Sequence, residues 1–76
     1  MLFLIEYDRN QGGVVTIQEF DEAERENAEN VRLEMELKLN RLGVQREVVL
    51  LEAASENALR RTHRRYFENL SELMTS

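Results

Sequence analysis

The sequence predicts an α+β fold: a two-layer sandwich with a three-stranded sheet of order 2-1-3 and two helices on one face. Three observations predict it. Met1–Ile5 and Val48–Leu51 are unbroken apolar runs of strand length. The stretches after Asp21 and Ser55 carry apolar residues at helical spacing. Glycines at 12, 13 and 43 divide these segments in a chain without proline.

The elements follow in order. Met1–Asp8 reads as the first strand, and Arg9–Gly13 as a polar turn that returns the chain as a hairpin. Val14–Phe20 alternates, with Val15, Ile17 and Glu19 on one side and Val14, Thr16, Gln18 and Phe20 on the other. This is the most polar strand and suits an edge. Asp21, with Glu24 three residues on, has the spacing of a capping box that opens a long helix. Gly43 after Leu42 is a left-handed terminator. Gln45–Ala53 is the third strand, and Ser55 caps a second helix expected to run to about Met74. The hairpin makes the first two strands antiparallel, and the long helix lets the third run parallel to the second. The most apolar strand, the first, then lies in the middle.

At about 100° per residue, Ala28, Val31, Met35, Leu39 and Leu42 form the core stripe of the long helix. Leu33 and Leu37 fall on the opposite side, one turn apart. They are either two exposed leucines on a good helix former or a small contact patch. In the second helix, Leu59, His63, Tyr66, Phe67, Leu70, Leu73 and Met74 form the apolar face. Arg60, Arg61, Arg64 and Arg65 form the other.

At 76 residues the chain is one small domain, residues 1–76, close to the lower size limit for folding alone. It has no cysteine and one histidine, so neither a disulfide nor a thiolate metal site can reinforce it. A strand apolar throughout presents hydrocarbon to both faces of its sheet. If both helices roof one face, the other needs a partner, most simply a second copy. The sequence therefore predicts a homodimer, through sheet faces or sheet edges. The net charge of −5 disfavours nucleic acid as a partner. The lack of a signal-like or membrane-spanning run predicts a cytoplasmic protein with no membrane association.

The Arg60-Arg61-Thr62-His63-Arg64-Arg65 run is the one segment that invites a ligand. Four guanidinium groups on one face suit an acidic protein partner or a phosphate backbone. A solvated face laced with pairs such as Glu56–Arg60 and Arg64–Glu68 accounts for the same residues. Acidic residues on the long helix, Glu29 among them, offer the arginines an opposite charge. His63 has no nucleophile or orienting group beside it in sequence and reads as structural. Gly12-Gly13 lacks a phosphate-loop pattern, although the hairpin loop is a possible contact site. Asn69-Leu70-Ser71 matches a glycosylation tripeptide, but it falls inside the predicted second helix. The expected function is a small non-enzymatic homodimeric interaction or regulatory module with no cofactor and no metal. Its contact residues are Leu33, Leu37, Arg60, Arg61, Arg64 and Arg65. The alternative is a nucleic-acid binder using the arginine face.

Overall fold

A computed structural model describes residues 1–67. The chain forms β1 (Leu2–Asp8), β2 (Gly13–Phe20), a 3₁₀ turn (Glu22–Glu24), α1 (Arg25–Leu42), β3 (Glu47–Glu52), α2 (Glu56–Thr62) and a second 3₁₀ turn (Arg64–Tyr66). The sheet order is β2-β1-β3, and β1 is antiparallel to both neighbours. The α+β class and the central position of the most apolar strand are those the sequence predicts.

The hairpin turn is fixed by Asp8, whose side chain accepts hydrogen bonds from the backbone N–H groups of Asn10 and Gln11 at 2.9 and 3.2 Å. Gly12 supplies the left-handed residue, with φ 71°. The β1–β2 ladder then contains a bulge. Glu6 pairs with Thr16 and Tyr7 with Val14, so Val15 has no partner. The bulge turns Val14 onto the same face as Ile17, where both pack against Phe3, Ile5 and Leu59. Simple alternation placed these two residues on opposite faces.

Asp21 is extended and makes no side-chain cap. The expected capping box is replaced by the 3₁₀ turn, in which Glu22 holds Arg25 at 2.9 Å. Gly43 ends α1 at φ 69°, and the following amide at Val44 bonds back to the Leu39 carbonyl at 2.9 Å. Ser55 Oγ accepts from the Ala58 N–H at 3.1 Å and caps α2.

The two helices lie on opposite faces, which corrects the expectation of a two-layer arrangement. Cross-strand pairs share a face, so the neighbours of each sheet residue reveal which helix covers it. Phe3, Ile5, Tyr7, Val49 and Leu51 pack around Leu59 of α2 and Phe67. Their alternates Leu2, Glu6, Val48 and Leu50 line grooves with α1. Each helix shelters one side, and Leu2, Phe3, Leu4 and Ile5 are consecutively buried, each at 0–1 % exposure. No second copy is needed to cover β1.

Two further expectations change. Leu42, assigned to the core stripe of α1, is 63 % exposed, because the last turn of α1 overhangs an open groove instead of the sheet. Ala28 is fully buried, while Val31, Met35 and Leu39 are half-buried. The helix α2 ends at Thr62 instead of continuing without a break. His63 adopts φ −123° and ψ 51°, outside the helical region, and the chain makes a 3₁₀ turn that carries Tyr66 onto the sheet. The expected continuation to Met74, with Leu70, Leu73 and the Asn69 tripeptide, lies outside the described residues.

Candidate functional site

Leu33 and Leu37 are 53 % and 54 % exposed on the outer side of α1. Asn30 and Asn40 continue the same strip in both directions. The four residues have spacings of 3, 4 and 3, so the strip reads Asn, Leu, Leu, Asn from either end. At 100° per residue they fall within about 80° of arc. Glu34 and Arg41 border the strip on one flank, and Glu29 and Glu36 on the other; Glu36 is held by Arg32 at 3.6 Å. Both leucines are thus exposed on one side of the helix, as their spacing suggested. The sequence reading missed that flanking asparagines give the strip symmetry.

Behind the strip, the inner side of α1 and the sheet enclose an open groove of about 460 Å³. Val31, Met35, Leu39, Leu42 and Val44 form its apolar walls. Its floor holds Glu6, buried in the central strand, with Thr16 Oγ1 donating to it at 3.2 Å and Arg46 donating from the start of β3. Glu6 interrupts an otherwise apolar strand, and that interruption was the available sequence signal. Its partners lie 10 and 40 residues away, a separation that periodicity does not span.

The four arginines do not form one helical face. Arg60 and Arg61 belong to α2, whereas Arg64 and Arg65 lie beyond the break at His63. Arg60 pairs with Glu56 at 3.1 Å, as the i, i+4 spacing predicts, and its guanidinium also stacks 4.5 Å from the Phe67 ring centre. Arg65 stacks at 4.5 Å on Tyr66 and donates to Glu47 at 3.2 Å. Its bond to the Tyr66 hydroxyl, 2.7 Å, is the chief cause of a pKa above the ordinary guanidinium value. Arg61 is exposed on α2. With α1 and α2 on opposite faces, Arg61 and Glu29 do not align within one chain. Exposed pairs of this kind contribute little to stability.

Tyr66 organises this end of the molecule. It is buried, meets Tyr7 edge to face at 5.3 Å, and donates its hydroxyl to Glu47 at 3.1 Å. Arg9 reaches the other oxygen of Glu47 at 3.4 Å. His63 lies 6.4 Å from the Tyr66 ring, tilted against it. Among the described residues, no group of three His, Cys, Asp or Glu side chains is placed to hold a metal ion, and no helix is long and apolar enough to cross a membrane.

Neither family models, nor curated proteins, nor solved structures contain a match to this chain.

Proposed function

We propose that the protein is a small non-enzymatic interaction module that works as a homodimer, its two copies meeting along the outer face of α1. The observation that carries the reading is the palindromic strip Asn30, Leu33, Leu37, Asn40, whose leucines are more than half exposed. A strip that reads the same from both ends is complementary to itself under a two-fold axis. In an antiparallel pair, Leu33 meets Leu37 of the partner subunit, and Asn30 meets Asn40 of the partner subunit. The leucines supply the apolar contact, while paired amides penalise any slipped register. On one flank Glu34 lies closer to its own copy than to the partner's Arg41, and the opposed macrodipoles supply the preference for antiparallel packing. On the other flank Glu36 meets its copy and weakens the pair.

This interface replaces the sheet-face dimer, since the sheet has no uncovered central strand. Two helices touching over three turns bury less than a standard protein–protein interface, so the expected dissociation constant is on the order of 10–100 µM. A weak dimer of this kind suits a module whose pairing is set by its concentration.

Sedimentation equilibrium up to millimolar concentration tests the reading. The wild-type chain is expected to pass from monomer to dimer, and the Leu33→Glu/Leu37→Glu variant to remain monomeric with its melting temperature little changed, because both side chains are exposed. A wild-type chain that stays monomeric throughout contradicts the proposal.

A further inference from the structure

We infer that the cleft between the hairpin turn and the start of β3 is a binding site for a phosphate group. It has a volume of about 340 Å³ and is lined by Arg9, Asn10, Gln45, Arg46 and Glu47. Four of these five side chains are hydrogen-bond donors. Each guanidinium carries five N–H groups. Arg9 directs its Nε to Glu47, which leaves its terminal nitrogens unengaged by that contact. Arg46 directs one terminal nitrogen to Glu6 and keeps the others. The Asn10 and Gln45 side-chain amides add neutral donors on either side.

The one acidic lining residue does not close the site to anions. Glu47 already accepts from Arg9, Arg65 and the Tyr66 hydroxyl, and its side chain is only 17 % exposed. Glu6 is matched by Arg46 and Thr16. Asp8, close by in sequence, turns its carboxylate toward the turn amides and is not part of the lining. Arg9, Arg46 and Arg65 thus surround two carboxylates that are already satisfied. The remaining donors come from planar forks, a geometry suited to tetrahedral oxyanions. The cleft lies at the low end of small-ligand pocket volumes, enough for a phosphate and a small organic group. It is separate from the outer face of α1, so phosphate binding stands or falls independently of dimerisation.

A titration followed by backbone and side-chain ¹H–¹⁵N resonances tests the site. Inorganic phosphate, phosphoserine and adenosine monophosphate serve as probes, with acetate and chloride at matched ionic strength as controls. Saturable shifts at Arg9, Asn10, Gln45 and Arg46 with phosphate probes, and none with the controls, are expected. Tighter binding of either ester than of inorganic phosphate identifies an organic phosphate as the ligand; equal or weaker binding identifies free phosphate. Arg9→Gln, at a side chain 73 % exposed, is expected to keep the fold and to weaken binding about tenfold, the worth of one charge-assisted hydrogen bond. Unsaturable shifts, equal response to chloride, shifts confined to Arg60 and Arg61, or an Arg9→Gln variant that binds as tightly as the wild type would each overturn the assignment.

Discussion

Alanine at Phe3 and alanine at Leu4 are each expected to unfold the protein or bring it close to unfolding. The two side chains are neighbours in β1 but point to opposite faces, and both are buried at 0–1 % exposure. Truncating a buried phenylalanine costs about 3–5 kcal/mol and a buried leucine about 2–5 kcal/mol. A chain of 76 residues has a total stability of only about 4–11 kcal/mol. The comparison is more informative than either value. If one helix shelters each face, the two losses are of similar size. If one face were open, the substitution on that side would cost well under 1 kcal/mol. Urea unfolding midpoints for both variants measure the difference. A large loss at Phe3 beside a negligible one at Leu4 would contradict the packing of α1 over the sheet.

The second large effect concerns Glu6 and Arg46. The Glu6 side chain is 9 % exposed, whereas Arg46 is 31 % exposed. Arg46→Met leaves a carboxylate inside the sheet with only Thr16 to bond it, and breaking such a pair costs about 3–5 kcal/mol when fully buried. The partial exposure of Arg46 reduces the expected loss to about 2–4 kcal/mol. Glu6→Leu is expected to cost less, because the freed guanidinium can swing into water and the new side chain matches the apolar strand. Replacing both, Glu6→Leu with Arg46→Met, is expected to restore or exceed wild-type stability. Chemical denaturation of the three variants provides the double-mutant cycle. A loss in the double variant equal to the sum of the two single losses would mean that the two side chains are not coupled.

Local chemistry in the sequence accounts for much of this fold. Gly43 ends α1 because a left-handed residue is needed there, and Ser55 caps α2 through its own hydroxyl. The order β2-β1-β3 follows from keeping the apolar strand away from an edge. The features that escaped are non-local. The bulge at Val15 depends on how two strands pair, which alternation in one strand does not encode. The break at His63 has no glycine or proline to announce it. It lets Tyr66 reach Tyr7 and Glu47, contacts made 59 and 19 residues away in sequence. That one turn separates the arginines that an unbroken helix would have aligned. The helix faces were misassigned for a related reason. Amphipathic periodicity tells which side of a helix is buried, not which side of a sheet receives it. Leu33 and Leu37 were readable because exposure on a regular helix follows directly from angle.

Cysteine pairing across the outer face of α1 tests the central claim most directly. The chain contains no cysteine, so Leu33→Cys and Leu37→Cys each introduce a single thiol. In the antiparallel dimer, position 33 of one copy faces position 37 of the other. An equimolar mixture of the two variants is therefore predicted to oxidise to a mixed disulfide faster than either variant oxidises alone. No preference for the mixed product, or faster pairing of each variant with itself, would contradict the account.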